Sequence, residues 1–246
     1  MRVLYLSKRW ILVLWVLLGI LLLLVFLVKG REDSLLTAFS SPAADRVIVI
    51  DPGHGGIDSG AVSPTGTREE ELNRKVALKL KKYLTDNGAK VALTRETKDG
   101  LAAGKSEDMR KRVELIRQSN ADIVVSIHMN KFPQSQYFGA QTFYMKGSEQ
   151  GERLAECIQA RMVEDLIEGN KRKIKAVDNL RILKAGSAPA VIVECGFLSN
   201  DAEEALLKTD DYQEKIAWSI YSGIMEYFAE EETFYWDGTD THPFLL

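Results

Sequence analysis

Short runs of aliphatic and β-branched residues alternate along this chain with longer stretches whose apolar residues recur every three or four positions. That alternation limits the fold more than any other feature. Arg46–Ile50, Lys90–Thr94, Asp122–Ile127, Gly139–Met145, Leu180–Leu183 and Ala190–Val193 read as strands, several of them apolar enough to be buried on both faces. Between them, Leu72, Val76, Leu80 and Tyr83 mark a helix that Asn87-Gly88 stops. Ser106 is the expected N-cap of a helix carrying Met109, Val113 and Ile116. Leu154, Ile158, Met162 and Leu166 mark another. Asn200 with Glu203 resembles a capping box, and Tyr212, Ile216, Ile220 and Ile224 line a last helix. The pattern predicts an α/β class: one domain with a mixed, mostly parallel twisted sheet flanked by helices.

The amino end adds a second constraint. Trp10–Val28 is an unbroken apolar run of 19 residues. At about 1.5 Å per residue it matches the roughly 30 Å hydrocarbon core of a bilayer, so one N-terminal transmembrane helix is expected. Arg2, Lys8 and Arg9 precede it, which puts the N-terminus in the cytosol and the rest of the chain outside. A cleaved signal peptide, with Ala38 and Ser40 as a weak cleavage site, is the competing reading, but its apolar region is ordinarily about 7–15 residues. The expected division is a cytosolic end and anchor over 1–29, a polar linker over 30–45, a folded domain over 46–228 and an acidic, aromatic tail over 229–246. A net charge of -3 without a basic stripe argues against nucleic acid. Cys157 and Cys195 form neither a zinc-ribbon spacing nor a disulfide framework. They are expected as small buried hydrophobes, with a bridge between them as the alternative.

Ligand sites in open α/β sheets form outside the carboxyl ends of strands, and three suggestive segments lie there. One strand runs into Asp51-Pro52-Gly53-His54-Gly55-Gly56, another into His128-Met129-Asn130, and a third into Glu194-Cys195-Gly196. A fourth segment, Gly66-Thr67-Arg68-Glu69, precedes the Leu72 helix. Two imidazoles and a carboxylate make a His2Glu zinc site with a position left open. His54, His128 and Glu69 could supply it, with Glu194 as a general base and Asp51 as a carboxylate orienting a ligand. Each residue alone also has an ordinary reading. A histidine in a glycine loop serves a turn, and a glutamate at a helix start is favoured by the dipole. Glu194 is the sharper signal, because a carboxylate directly after Val191-Ile192-Val193 needs a reason to be there.

The stretch Ile50-Asp51-Pro52-Gly53-His54-Gly55-Gly56-Ile57-Asp58-Ser59-Gly60-Ala61 resembles the opening motif of zinc-dependent N-acetylmuramoyl-L-alanine amidases of the amidase-3 type. Gly66-x-x-Glu69 before Leu72-Asn73, Ser126-Ile127-His128-Met129-Asn130 and the segment Pro189–Asn200 resemble their later motifs in the same order. Leu93-Thr94-Arg95 and the Arg112 helix match in place. The resemblance covers about residues 46–228 and departs from the pattern at Met129 and Cys195, neither a ligand position. It implies zinc held by His54, Glu69 and His128, catalysis by Glu194, and hydrolysis of the bond between the muramic lactyl group and L-alanine of the peptidoglycan stem. His242 lies outside the matched region.

The plan of one membrane segment before a bare catalytic domain is most similar to the sporulation amidases of CwlD type, which act in spore-cortex synthesis ahead of muramic-δ-lactam formation. Some members of the family carry an extra helix that blocks the site. The roughly 35 residues between the Gly139 and Leu180 segments leave room for one helix and its loops, so no such plug is expected here. Control would then fall to location, timing or a protein partner. Lys171, Arg172, Lys173 and Lys175 read as a solvated basic loop or as a contact for an acidic partner or anionic glycan. The rival functions are a zinc peptidase cutting within the stem and an inactive wall-binding scaffold. A transporter is disfavoured by a single spanning segment without internal charge.

Overall fold

A computed structural model describes Trp15, residues 17–19 and residues 41–236, with side chains up to Glu231. The Trp10–Val28 run and the end of the tail fall outside the described residues, except for Trp15 and residues 17–19. Those four are helical, with Trp15, Leu17 and Leu18 exposed. Among the described residues no helix is long and apolar enough to cross a membrane. Residues 41–45, read from sequence as the end of a linker, fold into a turn with Ala43 fully buried.

Among the described residues from 41 onward there are six strands: β1 (Val47–Pro52), β2 (Lys90–Leu93), β3 (Ile123–Asn130), β4 (Gln141–Met145), β5 (Lys175–Val177) and β6 (Ala190–Phe197). They form one sheet in the order β2-β1-β3-β6-β4-β5. Neighbours are parallel from β2 through β6, β4 runs antiparallel to β6, and β5 is parallel to β4. The mixed, mostly parallel sheet read from sequence is thus present. Among the same described residues five helices accompany it: α1 (Glu69–Asp86), α2 (Lys105–Gln118), α3 (Glu149–Asp165), α4 (Asp201–Leu207) and α5 (Asp210–Trp236).

Successive strand residues point to opposite faces, and the two faces are covered unequally. Ile48, Ile50, Ile127 and Val193 meet Leu80 of α1, Ile158 of α3 and Ile220 of α5 in the larger core. Val49, Val124 and Ile192 on the other face meet a smaller cluster, with Ile116 of α2 and the short turn around Ile182 and Leu183. His128 and Glu194 share that thinner face, two residues along from Ser126 and Ile192 respectively. The lightly covered side therefore leaves space for a cleft at the carboxyl ends of the strands.

Three local expectations are corrected. Leu180–Leu183 is not a strand: Ile182–Lys184 is a single 3-10 turn whose two apolar side chains are buried, an ambiguity inherent in short apolar runs. The strand in that region is β5, three residues at the sheet edge that carry too little apolar pattern to be read. The second helix is capped by Gly104 rather than Ser106, with no side-chain cap. The Asn200 box is half formed. Asn200 accepts from Glu203 N at 3.0 Å, but the Glu203 carboxylate turns away to accept from Phe197 N (2.8 Å) and Gly139 N (3.0 Å). Cys157 and Cys195 are both buried and unpaired.

The helix between β4 and the 3-10 turn is α3, and its buried residues Leu154, Ile158 and Met162 pack in the larger core, on the face away from His128 and Glu194. No helix among the described residues of that segment lies over the cleft. Arg172 of the basic stretch is structural: its Nε donates to Phe138 O at 2.8 Å and its guanidinium lies 4.4 Å from the Phe197 ring centroid.

Candidate metal centre

Parallel registry levels the strand ends that matter. Pro52 of β1 sits beside Ile127 of β3, and His128 sits beside Glu194 of β6. The chain leaving β1 turns at once, and His54 adopts a left-handed backbone with φ 62°. This conformation costs a non-glycine residue roughly 1–2 kcal/mol and needs support from its surroundings. Support comes from paired hydrogen bonds between the backbones of Gly55 and Asp58, and from Arg112, whose Nη2 donates to His54 O.

The turn delivers the His54 ring to Glu69, the first residue of α1. His54 Nε2 lies 3.2 Å from Glu69 Oε1, and His128 Nδ1 lies 2.9 Å from the same oxygen. The two rings stand edge to face with centroids 5.0 Å apart. Glu69 itself is 4% exposed, and its other oxygen accepts from Ala61 N at 2.7 Å. Asn73, one turn along α1, donates to Glu69 Oε1 at 3.3 Å and to Gly53 O at 3.2 Å. Two glycines make the crowding possible. A Cβ on Gly53 would stand 2.2 Å from the His128 ring, and one on Gly60 would stand 2.4 Å from Glu69 Oε2.

The electrostatics follow from this geometry. Burial opposes protonation of His54, but hydrogen bonds and charge from Glu69 and Asp58 outweigh it and bring its pKa up to about 9. His128 is likewise raised against its burial, chiefly by the hydrogen bond to Glu69. Burial would raise the Glu69 carboxyl, yet the two imidazoles hold it far below the usual carboxylate range. Glu194 behaves oppositely: burial dominates and pushes it up to about 7. Its Oε2 is buried without a hydrogen-bond partner.

His54, Glu69 and His128 each offer one ligand atom, and these atoms lie within 4.8 Å of one another. Two imidazole nitrogens and one carboxylate oxygen are the donor set of an open zinc site. The residues fit such an ion, and the neighbouring Glu194 carboxylate has an oxygen, Oε2, with no hydrogen-bond partner among the described residues. The three ligand candidates and Glu194 read from sequence are therefore brought together.

Asp51 is not. It touches neither imidazole and instead accepts from Thr94 Oγ1 (2.6 Å), Ser126 Oγ (2.7 Å) and Arg112 Nη1 (2.8 Å). Asp51 sits on β1 within the sheet, so its side chain points beneath α2 and anchors the arginine that braces the His54 turn. The carboxylate that holds the His54 ring is Asp58, whose Oδ2 meets His54 Nδ1 at 2.8 Å. The signal for it was present: a carboxylate four residues beyond a histidine, inside a glycine-rich turn that brings the chain back on itself. Arg95, matched in place by the resemblance but given no role by it, braces the same turn. It is 4% exposed and ties Pro52 O, Gly53 O and Glu70 O together, each at 2.8 or 2.9 Å.

A family profile described as N-acetylmuramoyl-L-alanine amidase matches residues 48–226. A germination-specific N-acetylmuramoyl-L-alanine amidase of Bacillus subtilis is 38% identical over 220 residues, spanning 86% of this chain and 92% of the relative. The CwlD amidase of Clostridioides difficile, solved in complex with the GerS lipoprotein, aligns with a TM-score of 0.74 at 41% identity, over 76% of this chain and 100% of that one. The catalytic domain of CwlV, an N-acetylmuramoyl-L-alanine amidase from Bacillus (Paenibacillus) polymyxa, aligns with a TM-score of 0.68 at 32% identity, over 75% and 98% of the two chains.

Proposed function

The chain belongs to the N-acetylmuramoyl-L-alanine amidase family, a family of hydrolases, and from that premise we propose that it is a zinc-dependent amidase of the spore cortex. The observation that carries this reading is one carboxylate, Glu69, shared by two imidazoles, with Glu194 in register beside the second of them. His54, Glu69 and His128 hold the ion. Zinc supplies Lewis-acid polarisation of the scissile carbonyl. Glu194 takes a proton from the attacking water and passes it to the departing L-alanine nitrogen. A carboxyl with a pKa near neutrality suits both halves of that transfer. Asp58 fixes the His54 ring through Nδ1, and Arg112 and Arg95 hold the backbone that presents it.

The substrate in this reading is the amide between the lactyl group of N-acetylmuramic acid and L-alanine of the stem peptide, cut ahead of muramic-δ-lactam formation. The relatives named for germination and for the CwlD amidase support the sporulation setting. The Trp10–Val28 run anchors the chain, with the catalytic domain outside the cytosol, between forespore and mother cell. A lipoprotein partner is proposed by likeness to the complex of the Clostridioides difficile relative with GerS. The test is digestion of purified cortex peptidoglycan by the full-length chain in detergent, before and after chelation. Stem peptides beginning with a free L-alanine amine, abolished by chelator and restored by zinc, are expected. Peptides cleaved within the stem would assign a peptidase instead.

A further inference from the structure

The cleft of about 250 Å³ that opens beside Glu194 extends well beyond the metal ligands. Its floor follows from strand geometry. Ile192 precedes Glu194 by two residues on the same face of β6, and Phe143 of β4 is its register partner. Ile182 of the 3-10 turn and Met109 of α2 pack against them. The apolar floor thus continues from Glu194 to the loop that carries Arg181.

The charges around this floor are nearly all committed. Asp51 and Asp108 both bind Arg112, at 2.8 and 2.5 Å, and Asp58 binds Lys105 at 2.7 Å. Arg181 lines the same cleft and is exposed. Among the described residues its side chain has neither a hydrogen bond nor an ion pair. One uncompensated guanidinium therefore faces an apolar trough that ends at the proposed catalytic carboxylate.

We propose that this cleft holds the stem peptide and that Arg181 recognises the α-carboxylate of the residue after L-alanine, D-isoglutamate. This rests on the amidase reading. The floor takes the alanine methyl and the peptide backbone. The planar guanidinium fork of Arg181 matches a carboxylate with two parallel hydrogen bonds and gives less to the neutral carboxamide of an amidated stem. A saccharide in the same place would leave the arginine without a counter-charge and set hydroxyls against aliphatic side chains. Arg181 is then a specificity-determining residue that selects unamidated stems.

The test compares N-acetylmuramoyl-L-alanyl-D-isoglutamate with its isoglutamine counterpart, using the zinc-loaded full-length chain. The wild type is expected to favour the carboxylate about tenfold in kcat/KM, as for one charge-assisted contact on an exposed arginine. Arg181→Gln should lower only the carboxylate substrate, to the level of the carboxamide, and Arg181→Lys should retain part of the preference. Calorimetry of the two product dipeptides on the Glu194→Gln protein gives the same comparison without turnover. Equal handling of both dipeptides by the wild type, or an equal loss on both in Arg181→Gln, overturns the assignment. A saccharide fragment that competes for the cleft in an Arg181-dependent way overturns it as well. Charge-selective dipeptide binding without any amide cleavage would instead overturn the amidase reading and leave Arg181 in its role.

Discussion

Asp58 Oδ2 lies 2.8 Å from His54 Nδ1, so the far side of the His54 ring is held by a carboxylate from within its own turn. Lys105, at 2.7 Å from the other Asp58 oxygen, fixes that carboxylate in turn. Partners of this kind set the tautomer and orientation of a ligating imidazole, and their loss typically weakens metal affinity about 10–100-fold. Asp58→Ala is expected to lower zinc affinity by that order, measured by competition with a chelator. Its thermal stability with zinc saturated should stay close to that of the wild type.

Gly53 gives a sharper geometric test. A Cβ there would lie 2.2–2.7 Å from three atoms of the His128 ring, so the ring must move. Gly53 is not in the left-handed backbone region, so alanine brings no conformational strain of its own. Gly53→Ala is expected to abolish activity and displace His128 as a ligand, seen as a change in the coordination shell by X-ray absorption. The far-ultraviolet spectrum should stay that of a folded chain.

The parts legible in sequence were those with strong local signatures. The apolar runs of β1, β3 and β6 have core faces that admit little else, and the carboxylate after Val193 had no ordinary structural purpose. His54 and His128 were legible as candidates because they stand at strand ends. Three carboxylates follow one another at the start of α1, Glu69, Glu70 and Glu71, and only tertiary contacts separate their roles. Glu69 meets both imidazoles, Glu70 is bound by Arg68 at 3.1 Å, and Glu71 pairs with Lys75 at the surface. Asp51 was misread because a carboxylate at a strand end can turn toward the mouth of the site or back beneath a helix. Arg112, 61 residues away, decides which.

The loop that delivers Glu69 titrates in a way that can be followed. Burial alone would raise the Glu204 carboxyl, but hydrogen bonds from Thr65, Thr67 and Ser63 outweigh it and bring it from 4.5 to about 2. Because the folded state holds this group more acidic than the unfolded chain, its stabilising contribution is complete above pH of about 4.5. It is lost as pH falls toward about 2. Glu204→Gln should lower the melting temperature at pH 6, and the gap from wild type should narrow steadily as pH is taken down to 3. A gap that stays constant with pH would reject this account of the loop.

Anchoring by the Trp10–Val28 run is tested on the full-length chain in membranes of the expressing cells. Extraction is expected with detergent and not with alkaline carbonate. Protease added outside the cytosol should remove the catalytic domain. Release by carbonate would mean that the run does not span the bilayer.

The central claim is that Glu194 performs the proton transfer beside a zinc ion that it does not bind. The most direct measurement compares the full-length wild type with Glu194→Gln, both loaded with zinc, for metal content and for release of L-alanine-terminated stem peptides by mass spectrometry. The account predicts one zinc in each protein and a loss of turnover of about 10²–10⁴-fold in the variant, the range for a removed general base. Zinc lost together with activity would make Glu194 a ligand, and turnover retained with zinc bound would take the proton transfer away from Glu194.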